Sequence, residues 1–595
     1  MKATWINASA GTGKTTALVD HCRMLLSQGV KPQHILCITF TNNAAQEMEE
    51  RIHNPEVAVK TLHSVAQGIV QNVKGIVIDR IMDSYDQEQL LRQATMAYLK
   101  EKPLAAEALS QHYSYEYFLS LLKKVLYKTQ EPLKTFEGVT IEKPTIEYPE
   151  EYWMQFLTAK GTIRKKLSPE MCEEAEKVYH HVQAQKIYDW IQKNHIFLEH
   201  MNGILTHYLQ LKKGYDFNDL ILEATRLLED ATNLYEATRH FQHILLDEAQ
   251  DTSFHQWLLF RKMIENAQSV LVVGDHKQNI YSFQEARPAF YDAFKSELKV
   301  ISEFEEKTLI TNYRSLSSIV TLAADKCPEL NIPLQTVFRK GDGIVETIND
   351  YQHILDLLAS KVILPSTGKP IEPKDILLLF RKRDETFDKV VDFLTAHHVP
   401  LRVEKKHLFQ EEPLIKELMH VLDLQIYYPE DAYDIFYYDR STLKEKGLPM
   451  LFKNIDHMMA ALLDVLPLYL FDVLLDVLAQ LTAPTFYTLR EYLNHHPIHF
   501  EKPIEDNAIS LMTIHGSKGL QAPVVYLFET SNRKPYEPFL YDIKTNALYK
   551  TPPSDIYHPS IMAIKEHNKQ DVESEDHRLL YVAITRAKDR FYFAL

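Results

Sequence analysis

Ala8-Ser9-Ala10-Gly11-Thr12-Gly13-Lys14-Thr15 is the stretch on which the reading of this chain turns. It follows a short apolar strand at Trp5–Asn7 and opens a helical pattern expected to begin near Thr16, the strand, loop and helix setting of a phosphate-binding loop. Glycines let successive backbone N–H groups face one anion, and the start of a helix adds the positive end of its dipole. The residues from Ala8 to Thr16 are therefore the candidate nucleotide cradle. Lys14 would neutralise the β and γ oxygens of a triphosphate, and the Thr15 hydroxyl would ligate Mg²⁺. Ala8 stands where the usual pattern has its first glycine.

Outward from this loop, Ile244-Leu245-Leu246-Asp247-Glu248-Ala249-Gln250-Asp251 reads as a second apolar strand that delivers two carboxylates at its carboxyl end, where α/β sheets bind ligands. Asp247 is the candidate Mg²⁺ ligand. Glu248 is the candidate base that orients and deprotonates an attacking water. Further short apolar runs at Ile35–Thr39, Val270–Val273, Asp375–Phe380 and Val524–Phe528 alternate with long helical patterns, as buried parallel strands do in α/β layers. Two stretches, 80–213 and 413–500, break the alternation and read as helical insertions. The polar, proline-containing stretch Lys534–Gln570 reads as a loop with little regular structure.

Composition narrows the field. A chain of 595 residues has room for several domains. Its 66 Lys and Arg against 81 Asp and Glu leave a net charge of −15, so any nucleic-acid contact must be local. No apolar run reaches the roughly 18 residues of a membrane span, and the most apolar segment, Met458–Leu481, carries three aspartates and a proline, so no membrane partner is expected. The four cysteines have neither zinc-site nor disulfide-framework spacing, which fits a reducing cytoplasm. The glycine-lysine loop lies so close to Met1 that the mature chain is expected to begin there.

With these residues in view, the chain resembles a superfamily 1 DNA helicase of the UvrD/Rep type, and within that group the helicase part of the AddA and RecB subunits. Ile38-Thr39-Phe40-Thr41-Asn42-Asn43-Ala44-Ala45 resembles motif Ia, Thr61-Leu62-His63-Ser64 motif Ib, and Gly274-Asp275-His276-Lys277-Gln278-Asn279-Ile280-Tyr281-Ser282-Phe283 motif III. Asn312-Tyr313-Arg314-Ser315 resembles motif IV, Thr513-Ile514-His515-Gly516-Ser517-Lys518-Gly519 motif V, and Tyr581-Val582-Ala583-Ile584-Thr585-Arg586-Ala587 motif VI. Phe156–Lys166, Asp251–Trp257 and Gly519–Pro523 point toward AddA.

The resemblance implies two RecA-like P-loop cores, parallel sheets flanked by helices, with ATP between them and two mainly helical insertions. The first core would comprise residues 1–79 and 214–307, the second 308–412 and 501–595, and the insertions 80–213 and 413–500. Gln278 would sense the γ-phosphate, Arg314 and Arg586 would act as arginine fingers in cis, and Tyr313 would stack on adenine. Phe40, Tyr281 and Phe283 would stack on bases, while Thr61, His63, Thr513, His515 and Lys518 would contact phosphates of single-stranded DNA. The implied activity is ATP-dependent 3′→5′ translocation and unwinding at single/double-strand junctions, in repair of double-strand breaks, beside an AddB-like or other repair partner. An ATP-dependent DNA clamp or scaffold is the competing reading.

Certain residues depart from the family pattern. Thr16 stands where an arginine often sandwiches adenine, and Gln521 replaces a glutamate expected near the ribose. The chain ends at Leu595, where AddA and RecB would continue into a nuclease domain, so no nuclease activity is expected. Tyr541-Asp542-Ile543-Lys544-Thr545 mimics a nuclease signature and reads as loop.

Overall fold

The structure is a computed structural model. It describes residues 1–78, 80–103, 114–128, 149–158, 162–280, 288–333, 335–403, 407–427, 452–479, 481, 483–495, 498–500, 507–528, 539–542, 547–552, 556 and 559–594. Contacts divide the chain into two compact units, Met1–Val345 with Ser531–Arg590, and Glu346–Thr530 with Phe591–Leu595.

The first unit is built on six strands: β1 (Lys2–Ala8), β2 (Ile35–Thr39), β3 (Ala58–Thr61), β4 (His243–Leu246), β5 (Ser269–Gly274) and β6 (Glu303–Leu309). They lie in the order β3-β2-β4-β5-β1-β6, and every pairing is parallel. Alternation along each strand explains why both faces are buried. Leu36, Ile38, Ile244, Leu246, Val270 and Val272 face one apolar cluster together with Trp5. Ile35, Cys37, Leu245, Leu271 and Val273 face another, against Leu18, Val19 and Cys22. Each fully buried Leu, Ile or Val contributes roughly 1.5–3 kcal/mol, so the sheet is held from both sides.

Because the strands are parallel, their carboxyl ends share one edge, and β1, β2, β3, β4 and β5 there release Ser9, Phe40, Leu62, Asp247 and Asp275 into the connections. Helices α1 (Lys14–Ser27), α2 (Asn42–Ile52) and α3 (Leu62–Lys74) start from that edge. α1 begins two residues before the expected Thr16, because Gly13 takes the N-cap position in a left-handed conformation. The first insertion is mainly helical, with Ser84–Glu101, Tyr115–Lys128 and the 43-residue Pro169–Leu211 packed around Leu91, Leu122, Met201 and Ile204.

The second unit holds a six-stranded sheet of β7 (Ile344–Ile348), β8 (Ile376–Phe380), β9 (Leu401–Val403), β10 (Ile509–Thr513), β11 (Ala522–Phe528) and β12 (Ala587–Ala594), whose first and last strands begin in the first unit. Their order is β9-β10-β8-β11-β12-β7, and the pairs β9–β10, β10–β8 and β8–β11 are parallel. Phe380 and Phe528 stack face to face across it at 4.7 Å. Helices Pro413–Tyr427, Ile455–Leu463, Leu468–Ala479 and Phe486–His495 enclose a separate core of Ile415, Leu418, Leu422, Leu470, Leu474 and Leu489. Among the described residues no helix is long and apolar enough to cross a membrane.

One expectation changes. Lys534–Gln570 is not an irregular loop: Phe539–Asp542 and Ala547–Lys550 pair as an antiparallel hairpin, and a helix runs from Pro559 to Ile584. Tyr541 and Asp542, read as loop, lie on that hairpin. Its few apolar residues decide the matter, since Leu540 and Tyr549 are buried with Ile187, Ile556 and Ile561 while polar neighbours mask the pattern. Residues 308–345 and 531–590 fall in the first compact unit.

Candidate nucleotide site

Local chemistry shapes the phosphate loop before any ligand is considered. Gly11 and Gly13 have φ of 75° and 85°, a region that residues with a Cβ rarely enter. A Cβ on Gly11 would also lie 2.8 Å from Arg314 Cβ and 2.9 Å from Asn312 Oδ1. Thr12 Oγ1 donates to the Ser9 carbonyl at 2.8 Å and tightens the turn. No side chain caps the first turn of α1, so its leading N–H groups remain directed at the loop.

Lys14 and Thr15 then meet the carboxylates from the end of β4. Lys14 Nζ donates to Glu248 Oε2 at 2.9 Å, and Thr15 Oγ1 donates to Asp247 Oδ2 at 3.0 Å. Burial would depress the Lys14 ammonium, but Glu248, Asp275 and Asp247 outweigh it and leave Lys14 raised. For Asp247, burial and then repulsion from Glu248 push the carboxyl up to about 6. Glu248 sits at φ 48°, a strained backbone for a side chain with a Cβ, costing of order 1–3 kcal/mol. Such strain concentrates at functional sites, and here it aims Glu248 back at Lys14.

Gln278 follows β5. Its Nε2 donates to Asp275 Oδ2 at 2.7 Å, and its Oε1 accepts from Arg586 Nη2 at 3.3 Å. Asp275 also pairs with the buried Lys277 at 2.7 Å; burial opposes its ionisation, but Lys277 and Lys14 hold it below the usual carboxylate range. Arg314 Nη1 donates to the Thr585 carbonyl at 3.0 Å and is depressed by burial. Arg586, 2 % exposed, is pushed down to about 9 by burial and by the neighbouring Arg314. All of these groups belong to the first compact unit.

The donor set suits a magnesium triphosphate. Two crowded guanidiniums, a buried ammonium and uncapped helix N–H groups call for an anion, while the Thr15 hydroxyl and the Asp247 carboxylate are oxygen ligands of the kind Mg²⁺ takes. Tyr313 is 55 % exposed, its N–H donates to the Gly11 carbonyl at 2.9 Å, and its ring lies 5.2 Å from that of Phe338. Thr16 is exposed on α1.

Several residues escaped the sequence reading. Gln250 Nε2 donates to Glu248 Oε2 at 2.5 Å while its Oε1 accepts from Asp275 N–H at 2.8 Å, which ties β4 to β5. Its signal was its place between Glu248 and Asp251. Asn312 Nδ2 donates to the Ala10 carbonyl at 3.1 Å, and the Ala10 N–H donates to Tyr581 Oη at 3.1 Å. Both lie within the stretches that resemble motifs IV and VI, but nothing local marks them as clasps of the phosphate loop.

The strand-binding candidates fall into three groups. Phe40 and His63, together with Thr39, Asp247, Glu248 and Thr252, line one pocket at the ends of β2 and β4. Burial lowers the pKa of His63, whose ring rests edge-on against Phe217 at 5.1 Å. Thr61 has its hydroxyl engaged as the N-cap of α3, accepting from Ser64 N–H at 3.2 Å. Thr513, His515 and Lys518 lie in the second unit, where Thr513 ends β10 and its Oγ1 accepts from Gly516 N–H at 3.2 Å. Tyr281 and Phe283 lie outside the described residues.

A phosphate-loop sequence after β1, paired carboxylates after β4 with β5 between the two strands, and two arginines close by describe a P-loop α/β protein. Comparison with known proteins makes this specific. Residues 1–299 match the UvrD/REP helicase N-terminal domain, and residues 476–595 match the UvrD-like helicase C-terminal domain. The chain belongs to the UvrD/Rep family of superfamily 1 DNA helicases. It is 24% identical to a probable DNA helicase II homolog of Mycoplasma pneumoniae, an alignment covering 99% of this chain and 81% of that protein. It is also 26% identical to the ATP-dependent DNA helicase PcrA of Bacillus subtilis, over 53% of this chain and 36% of PcrA. With the ATP-dependent DNA helicase Rep of Salmonella typhimurium it shares 23% identity over 70% of this chain and 55% of Rep.

Proposed function

We propose that this chain is an ATP-dependent DNA helicase that moves 3′→5′ along single-stranded DNA and opens duplex at junctions. The convergence of Lys14, Thr15, Asp247, Glu248, Gln278, Arg314 and Arg586 around one phosphate loop carries the reading. ATP is the substrate. Lys14 and the α1 N–H groups hold its phosphates, and Thr15 with Asp247 would hold Mg²⁺, which when bound screens phosphate charge. Glu248, oriented by Gln250, takes a proton from the attacking water, and Arg314 and Arg586 stabilise charge developing on the γ-phosphoryl oxygens.

Strand binding is assigned to Phe40, Tyr281 and Phe283 by stacking and to Thr61, His63, Thr513, His515 and Lys518 by phosphate contact. The pocket shared by Phe40, His63 and Glu248 supports a direct route by which DNA could influence hydrolysis. The same reading takes the chain as two RecA-like cores with helical insertions, at the boundaries given above, working in the cytoplasm. Its place is repair of double-strand breaks, in the manner of AddA and beside an AddB-like partner. The stretches Phe156–Lys166 and Gly519–Pro523 support that finer assignment.

The test is ATP hydrolysis with and without single-stranded DNA, followed on the same preparation by displacement from duplexes with 3′ or 5′ tails. Stimulated hydrolysis and displacement only from the 3′-tailed duplex is the expected result. DNA binding without stimulated hydrolysis would replace the helicase by a clamp. Tyr313→Ala should raise the KM for ATP about tenfold with kcat little changed, as loss of base stacking worth about 1–3 kcal/mol predicts. An unchanged KM would remove Tyr313 from the base site.

A further inference from the structure

The two arginines assigned to the phosphoryl group sit far apart in sequence, and something must fix their spacing. Arg339, which belongs to none of the motifs read from the sequence, joins the backbones that carry them. Its Nη1 donates to the Arg314 carbonyl at 2.8 Å and to the Lys588 carbonyl at 3.0 Å, and its Nη2 donates to Asp589 Oδ1 at 2.6 Å. The ion pair is interior: the side chains of Arg339 and Asp589 are 17% and 1% exposed.

Neighbouring contacts follow the same seam. Ser315 Oγ donates to the Ala587 carbonyl at 2.6 Å and Leu316 N–H to the Lys588 carbonyl at 3.0 Å. Phe338 N–H donates to the Asn312 carbonyl at 2.9 Å, which places Arg339 immediately beside the Asn312–Ser315 turn. Gly343 approaches so closely that a Cβ there would lie 3.0 Å from the Asp589 carbonyl oxygen. A planar, forked guanidinium holds two carbonyls and a carboxylate in a fixed geometry, whereas a lysine ammonium is a point charge on a flexible stem.

We propose that Arg339 is a positioning residue for hydrolysis, holding Arg314 in place by clamping the turn that carries it to the strand that follows Arg586. This rests on the proposed roles of those two arginines. Arg339 touches no reacting atom, so its effect falls on turnover and passes through Arg314. Transition-state contacts lose strength steeply when donors shift by about 1 Å, which corresponds to roughly a hundredfold in rate.

The experiment compares steady-state, DNA-stimulated ATP hydrolysis of Arg339→Ala, Arg339→Lys, Arg314→Ala and the double variant Arg339→Ala/Arg314→Ala. Arg339→Ala should lower kcat about ten- to a hundredfold while KM for ATP changes less than about threefold. Arg339→Lys should restore thermal stability more than kcat. The double variant should be no slower than Arg314→Ala alone, within about twofold, because one residue acts through the other. Since Arg339→Ala strands a buried carboxylate and can misfold, Arg339→Met/Asp589→Leu removes both charges at similar volume and should keep the fold while retaining the kcat loss. Losses that multiply in the double variant, or wild-type kcat in the folded Met/Leu variant, overturn the inference. Wild-type turnover in Arg314→Ala would instead overturn the finger assignment beneath it.

Discussion

Glu248→Gln should lower the ATP turnover number by about 100- to 10,000-fold, the range removed with a general base, while leaving nucleotide binding intact. The substitution keeps size and shape, and its amide oxygen can still accept from Lys14, whose ammonium lies 2.9 Å from Glu248 Oε2. What it removes is the proton acceptor. It also removes the repulsion that, after burial, raises Asp247 to about 6, so Asp247 ionises more readily in the variant. Binding of the magnesium nucleotide should therefore hold or tighten, and the defect should fall on kcat. Equilibrium binding of a fluorescent ATP analogue beside steady-state hydrolysis separates the two effects. A variant that turns over at the wild-type rate would remove Glu248 as base, and one that no longer binds nucleotide would make its role structural.

The same carboxylate shows how far the residues could be read before the structure. β2 and β4 lie where continuous apolar runs placed them, because strands buried on both faces carry little else. The phosphate loop was legible because its glycines are demanded locally by backbone conformation. β6 was not, since Glu303–Leu309 is a largely charged edge strand with one covered side and shows no apolar run. The hairpin at Phe539–Lys550 lacks an apolar run for a related reason: part of its burial is supplied by Ile187, far away in sequence, and part by Ile556 and the helix from Pro559.

Within the site, residue identity was legible and wiring was not. Nothing local indicates that Gln250 bridges Glu248 to Asp275, that Tyr581 meets the Ala10 N–H, or that Glu248 occupies a left-handed backbone. These depend on the register of β4 against β5 and on where the helix Pro559–Ile584 packs. Thr61 gives the opposite case. A motif-based phosphate contact fits its residue type, yet its hydroxyl is already engaged in capping α3. A threonine before a helix can serve both descriptions, since an oxygen that accepts from an N–H still has its own O–H to donate.

Arg586→Ala should lower kcat by about a thousandfold, roughly 4 kcal/mol in the barrier, with a much smaller change in ATP affinity. The argument begins with an electrostatic penalty. Arg586 is buried, Arg314 lies close enough to lower its pKa further, and together these hold it down to about 9. Its Nε donates to the Val582 carbonyl at 3.0 Å, which fixes direction without neutralising charge. Charge on transferring phosphoryl oxygens compensates two such cations, and a preorganised pair needs no reorientation at the moment of reaction. A purely structural arginine behaves otherwise, since its removal costs stability and leaves chemistry alone. Arg586→Met separates the cases by keeping volume and deleting charge: relief of repulsion with Arg314 should leave the thermal midpoint unchanged or higher while turnover stays as low as in the alanine variant. A lowered midpoint with near-normal kcat would mean that the buried cation supports the fold rather than the reaction.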